Sequence, residues 1–389
     1  MPADADALQS RALAHLERLV AFDTTSRGSN LPLVEYVEAE LGRLGVQPRR
    51  VPNADGSKSN LYATLGPAAE GGVVLSGHTD VVPVDGQPWS TDPFTLARRG
   101  DRLFGRGTCD MKGFLALALA AAPEVQAASP ARPVHLAFSY DEEVGCLGAP
   151  DMIAEMVRVL PRPALVVVGE PTDMQAVGGH KGVTTHEVVV TGREAHSSLP
   201  EAGVSAIMAA IPLLEALNRL AAELRARPEP GSAFHPPHAT LTVGLLHGGT
   251  AGNILARECR FLFDLRTPPG VDPLAILRPF LDRCAAADAE LRARAPEAGV
   301  AVRRRSLTPA LAPEPDGAAE AFVRGLTGDN GPRRAVSYAA EAGQFQGAGL
   351  STVICGPGSI EQAHQANEYV EVEQMRRGAA FMARLVDAL

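Results

Sequence analysis

Cysteine is sparse in this chain and follows no pattern: five residues among 389, at Cys109, Cys146, Cys259, Cys284 and Cys355. An odd number without a CxxC pair argues against a disulfide framework and against a thiolate zinc site. It predicts free thiols in a reducing compartment, with the cytoplasm as the default. Excess positive charge is missing as well. The formal net charge is -9, without long acidic runs, which disfavours nucleic acid or an anionic membrane as a partner because both need a basic face. The longest apolar run, Phe114 to Pro123, is too short to span a bilayer. The opening residues, MPADADALQS, lack a basic segment followed by an apolar one, so no signal peptide is expected. No internal repeat and no low-complexity tail is present.

What remains is an ordinary globular composition, 46% hydrophobic and 21% charged, in a length that suits two domains better than one. Several short β-rich runs end in loops carrying glycine or acid. Residues 73–76 (VVLS) lead into GHTD, 133–138 (PVHLAF) into SYDEE, 164–168 (ALVVV) into GEPT, and 352–355 (TVIC) into GPGS. Apolar runs of this length predict strands buried on both faces, as in a parallel sheet between helices. Helical periodicity lies at 7–20, 33–44, 111–122 and 374–389, which makes this an α/β domain. From about Gly182 to Arg292 the style changes. THEVVVT (185–191) begins with the alternation of a half-exposed strand, and a long helix follows at 204–225, where Pro212 predicts a kink or a boundary. A proline-rich loop (227–237), strands at 239–246 and 257–265, a helix at 273–287 and a last strand at 300–304 complete a split βαβ pattern. The expected organisation is a larger α/β domain in two parts, 1–181 and 293–389, with a smaller α+β domain inserted at 182–292.

In an open α/β sheet, ligands bind beyond the carboxyl ends of the strands. His78, the pair Glu142 and Glu143, and Glu170 each follow such a strand, and His364 lies in the loop after a fourth. Asp110 precedes the helix beginning at 111, where a helix cap is its bland role. Each residue alone has a structural reading: a strand-end histidine, a turn-forming Asp80, a cap, a solvated acid. Together at one sheet edge, four carboxylates and two imidazoles would repel at high cost unless divalent cations turn repulsion into coordination. Two histidines with carboxylates and no thiolate suit Zn²⁺, Co²⁺ or Mn²⁺, and conflict with Ca²⁺. Five ligands exceed one tetrahedral ion and fit two ions sharing a carboxylate. Neighbouring side chains in an extended segment point opposite ways. One of the adjacent glutamates can then bind metal while the other serves as a base. Asp80, two residues beyond His78, can orient the imidazole.

Seven ordered stretches carry a resemblance: HTDVVP (78–83), GRGTCDMKGF (105–114), SYDEEVG (139–145), VVGEPT (167–172), AHSSLP (195–200), GGTAGNI (248–254) and GPGSIEQAHQANEYV (356–370). Together they resemble the dinuclear-zinc aminoacylases and deacylases known as the M20 metallopeptidases. Within that family the pattern is most similar to the members that release acetate from N2-acetyl-L-ornithine in arginine biosynthesis. The resemblance implies a zinc-aminopeptidase-like catalytic domain and two Zn²⁺ per subunit, with Co²⁺ or Mn²⁺ as substitutes. It assigns His78 and Glu170 to one ion, Glu143 and His364 to the other, and Asp110 to both. Glu142 becomes the general base and proton shuttle, and Asp80 supports His78. The insertion becomes a lid through which a homodimer forms. His196 then reaches the partner's site to stabilise an oxyanion, while Asn253 and Arg266 grip the substrate; an ordinary strand-end salt bridge is the alternative for Arg266. A cis peptide is implied at Asp110–Met111. One departure is Ala340, where threonine is expected, which puts one polar contact near the substrate in doubt. The rival readings are a succinyl-diaminopimelate desuccinylase, a broad aminoacylase, or a non-catalytic amino-acid-binding paralogue. Of the remaining histidines, His180 at the predicted hinge is the one to inspect, with packing as its ordinary role.

Overall fold

The computed structural model describes residues 4–389. The chain forms two compact units. The first comprises the residues up to Gly179 with Leu311–Ala335 and Ala340–Leu389; the second comprises His180–Ala310 with Val336–Ala339. The boundary expected at 292 thus falls at 310 instead. The reason is strand Gly299–Thr308, which pairs along Gly182–Thr191 and completes the sheet of the second unit.

In the first unit six strands form a sheet in the order Arg49–Pro52, Ser59–Leu65, Val134–Ser139, Val73–His78, Leu165–Val168, Ser351–Ile354. Pairings among the last four are parallel, and the two at the other edge are antiparallel. Every residue of Val73–His78, Val134–Ser139 and Leu165–Val168 is buried, as continuous apolar runs require when both faces are covered. Adjacent residues identify the two covers. A Cβ on Gly77 would stand 2.5 Å from Met111 and 3.0 Å from Leu115, so helix Lys112–Ala128 presses on that face. Ser76, pointing the other way, donates to Glu341 at 2.6 Å, at the start of helix Ala342–Gly347. Lys112–Ala128 is buried nearly all round because Ala5–Val20 and Val372–Ala388 pack over it. Among the described residues no helix is long and apolar enough to cross a membrane.

His135 sits inside this sheet, fully buried, with Nδ1 3.0 Å from Thr64 Oγ1. Burial pushes its pKa down to about 4. A folded-state pKa below the unfolded value means that the unfolded chain takes up the proton first as pH falls. The neutral ring therefore contributes fully above about pH 6.5, and the contribution is lost on acidification toward about 4. Between pH 7 and pH 5 the linked loss is about 2 kcal/mol. His135→Gln should flatten the acid limb of stability by that amount, as measured by urea unfolding at both pH values.

The second unit is a four-stranded antiparallel sheet in the order Thr240–Gly248, Glu258–Thr267, Gly182–Thr191, Gly299–Thr308. Helices Ala206–Arg225 and Pro273–Arg294 supply the other half of its core. There Phe261, Phe263 and Leu265 from the strand meet Leu213, Leu217, Leu277 and Phe280 from the helices. Pro212 marks no boundary: Ala206–Arg225 runs through it, with Ser205 capping the N-terminus by accepting from Met208 N. Losing one backbone donor is tolerable where the apolar face of a long helix is already anchored. His180 is buried; its Nδ1 lies 2.8 Å from the Lys181 carbonyl, and burial lowers its pKa to about 4, leaving a neutral packing residue.

Candidate metal centre

The four parallel strands of the first unit end side by side, and each delivers an acid or an imidazole. His78 is the last residue of its strand. Glu142 and Glu143 follow Val134–Ser139, Glu170 follows Leu165–Val168, and His364 lies in the loop after Ser351–Ile354. Gly169 lets Glu170 into place, since a Cβ there would meet the Phe114 ring at 1.9 Å.

Asp110 occupies the centre of the group. It is not a helix cap: the residue preceding helix Lys112–Ala128 is Met111, and no side chain caps that end. The Asp110–Met111 peptide is cis. The two carboxylate oxygens of Asp110 face opposite partners. Oδ1 accepts from His78 Nε2 at 2.9 Å, and Oδ2 stands 3.3 Å from His364 Nε2. Around each oxygen a donor triplet closes to within 4.8 Å, one made by His78, Asp110 and Glu170, the other by Asp110, Glu143 and His364. Glu170 Oε1 lies 3.9 Å from His78 Nε2, and Glu143 Oε2 lies 2.9 Å from His364 Nε2.

The adjacent glutamates are placed by a turn. They do not lie on the extended segment expected from the sequence. Asp141 has φ 56°, and Cys146 N donates to the Glu142 carbonyl at 2.8 Å. Asp80 pins this turn: its Oδ1 accepts from Glu142 N at 3.1 Å and its Oδ2 from Glu143 N at 3.3 Å, with Ser26 Oγ adding a bond at 2.7 Å. The role expected for the Asp80 carboxylate passes largely to the Asp80 backbone. His78 Nδ1 donates to that carbonyl at 2.8 Å, while the carboxylate stays 3.7 Å away. That bond directs Nε2 at Asp110. The side chains of the two glutamates diverge, Glu143 to His364 and Glu142 to the Cys146 thiol at 3.2 Å.

The electrostatics show what this donor set suits. Burial, then the neighbouring carboxylates, pushes Glu142 up to about 8, Glu143 to about 7 and Glu170 well above its usual range. Burial opposes charge on His78, but the Asp110 hydrogen bond and Glu170 outweigh it and raise its pKa; hydrogen bonds to Asp110 and Glu143 raise His364 to about 10. Burial works against ionised Asp110, but its bonds to both imidazoles win and hold its pKa down. The cluster thus favours positive charge at two points, one on either side of Asp110. Glu143 Oε1 is buried without a hydrogen-bond partner among the described residues, an acceptor aimed at something other than a protein donor. Oxygen and imidazole donors with these features fit two divalent cations.

Two residues without an assigned role complete the surroundings. Glu341, fully buried, accepts from Ser76 Oγ at 2.6 Å and Ser139 Oγ at 2.7 Å beneath the strand ends. Glu368 accepts from the amides of Cys109 and Asp110 at 2.9 and 3.1 Å. Glu368 lies within one of the stretches that carry the resemblance, in ANEYV, and Glu341 lies outside them; an isolated acid gives no spacing signal. Ala340, the departure from the expected threonine, is fully buried beside Glu341.

The residues expected in the lid, His196, Asn253 and Arg266, belong to the second unit. Ser197 N donates to the Asn253 carbonyl at 2.9 Å, and residues 196 and 254 bridge. His196 is exposed; its Nδ1 accepts from Ser198 N at 3.2 Å, which leaves Nε2 carrying the proton as a donor. Arg266 lies near the far end of strand Glu258–Thr267, about 27 Å of extended chain from Glu258. There it pairs with Asp264 at 3.2 Å and reaches the Ser337 carbonyl at 3.4 Å. Asn253 therefore groups with His196, apart from Arg266.

Comparison with known proteins adds four findings. Residues 74–388 match the model of peptidase family M20/M25/M40. An acetylornithine deacetylase from Myxococcus xanthus is 37% identical over 96% of this chain and 96% of that one. Human carnosine dipeptidase 1 shares the fold with a TM-score of 0.78 at 17% identity over 98% of this chain and 97% of that one. A dinuclear metal-binding M20 peptidase from Bacillus subtilis shares it with a TM-score of 0.62 at 13% identity, over 99% and 100% of the two chains.

Proposed function

Because the chain belongs to peptidase family M20/M25/M40, we propose that it is a metal-dependent amidohydrolase that cleaves the N-acetyl amide of N2-acetyl-L-ornithine, giving L-ornithine and acetate. The observation that carries the reading is Asp110, whose two oxygens are shared between two donor triplets. Relatives of the same length and of that activity, one of them 37% identical, support the substrate. The proposed cofactor is two Zn²⁺ per subunit, replaceable by Co²⁺ or Mn²⁺, held by His78 and Glu170, by Glu143 and His364, and by Asp110 in common. When bound, such ions bring a water near neutrality in pKa and polarise the acyl carbonyl.

The chain's own residues do the rest. Glu142 stands outside both triplets, fixed through its amide by Asp80, and is free to take a proton from the attacking water and pass it to the leaving α-nitrogen. His196 of the partner subunit offers an Nε2 proton to the oxyanion, a contribution of about 3–4 kcal/mol for one such donor. Asn253 and Arg266 hold the substrate, its α-carboxylate being the complementary group. Their separation within one subunit supports a site completed by a second copy. So does the edge strand Thr240–Gly248, which exposes Leu245 and Leu246 while Ile207 lies against Gly248. We place the enzyme as a homodimer in the cytoplasm, where its five buried cysteine thiols stay reduced, supplying ornithine for arginine synthesis.

Acetate release from N2-acetyl-L-ornithine tests this, assayed beside succinyl-diaminopimelate and a panel of N-acyl amino acids. Acetylornithine should give the highest kcat/KM. Chelation should remove activity, and Zn²⁺ or Co²⁺ should restore it. Activity that survives full chelation, or a faster rate on the succinyl substrate, rejects the assignment.

A further inference from the structure

His364 differs from the other ligand candidates. Its ring is 52% exposed and its backbone has φ 62°, so neither burial nor regular structure fixes it. What does hold it is a chain of hydrogen bonds that begins at Asp110. Glu368, 1% exposed, accepts from Cys109 N and Asp110 N through one oxygen, and from Gly107 N (3.0 Å) and Arg106 Nη1 (2.7 Å) through the other. Arg106, also 1% exposed, lies 5.1 Å from the Trp89 ring centroid. It donates to the Gln365 carbonyl at 3.3 Å and, through Nη2, to Gln87 Oε1. Gln87 Nε2 then donates to the His364 carbonyl at 2.9 Å. One continuous path joins the amide of the shared carboxylate to the carbonyl of the exposed histidine.

A buried ion pair is a poor source of stability, since desolvation offsets most of its attraction. Here Arg106 Nε also finds no partner among the described residues. The arrangement makes more sense as alignment. We propose that Glu368, Arg106 and Gln87 are positioning residues that fix the spacing between Asp110 and His364, and thereby the affinity of the metal site those two share with Glu143. This rests on the two-ion reading given above. Ligand-orienting partners of this kind change metal affinity by about 10–100-fold when removed.

Co²⁺ titration of the chelated full-length protein, followed by ligand-field absorption, distinguishes the contributions. The wild type should load in two steps, and His364→Ala should identify the step belonging to its site by abolishing it. Gln87 is half-buried at the surface, and Gln87→Ala should raise the midpoint of that step alone by about 10–100-fold, with an unchanged melting temperature. Glu368→Gln should weaken both steps, because Asp110 serves both ions. If Glu368→Gln fails to fold, Gln87→Ala decides. A Gln87→Ala titration within twofold of wild type at both steps overturns the positioning role. A wild type that takes up a single ion overturns the two-ion reading itself, and the positioning role with it.

Discussion

Replacing Glu142 with alanine should lower kcat by at least about 10³-fold, toward the upper end of what one general acid–base group contributes, and leave both metal equivalents bound. The reason is geometric. Glu142 contributes to neither donor triplet among the described residues; its carboxylate contacts the Cys146 thiol and its amide is tied to Asp80. A side chain placed beside the proposed ions without ligating them would be free to carry a proton in and out. Burial, then the acids around it, raise its pKa in the ion-free site; cations bound beside it would offset those acids and leave the carboxylate ionised to take up a proton. Glu142→Gln keeps the volume and removes the basicity, so it should be nearly as inactive, with KM close to wild type. Metal analysis beside acetate-release kinetics provides the check. If either variant loses an ion in parallel with its activity, Glu142 is a ligand and the base lies elsewhere.

How far such a site can be read from sequence depends on which contacts are local. The strands leading to His78, Glu142 and Glu170 were legible because a strand buried on both faces needs an unbroken apolar run, and VVLS, VHLAF and LVVV supply one. The antiparallel strands Arg49–Pro52 and Ser59–Leu65 were not, since SNLYATL mixes polar and apolar residues without a clean period. Helix Ala149–Val159 escaped notice too, its start hidden behind Gly145 and Gly148 of the preceding turn and Pro150 in its own first turn. The far bound of the insertion was set at 292, short of the strand anticipated at 300–304, which runs on to Thr308 through the exposed arginines 303–305 that carry no apolar signal. The charged candidates were legible as a set, by their positions after strands. Their supports were not. Glu368 reaches back across the sequence to Cys109 and Asp110, and Glu341 to Ser76 and Ser139. Contacts so distant along the chain leave no periodicity to detect.

Asp110→Ala should have the largest effect on the metal centre, because a single substitution removes a donor from both triplets at once. After dialysis the variant is expected to retain less than one ion per chain, and its activity should fall below detection. His78→Ala and His364→Ala, which each take a donor from one triplet, should retain about one ion. Asparagine at 110 is the more exacting version. It preserves shape and one oxygen, yet it removes the negative charge that draws both imidazoles inward at 2.9 and 3.3 Å and replaces one coordinating oxygen with a nitrogen that only donates. The loss is readable without turnover. An ion that binds the folded state alone, at a free concentration of 100 times its Kd, stabilises that state by about 2.7 kcal/mol. Zn²⁺ should therefore raise the melting temperature of the chelated wild type and leave that of Asp110→Asn nearly unchanged. A variant at position 110 that still binds two ions, or melts higher with zinc by as much as wild type does, would mean that the two triplets do not share this carboxylate. The two-ion geometry would then have to be rebuilt around Glu142 or Glu170, the other acids whose charge acts on His78.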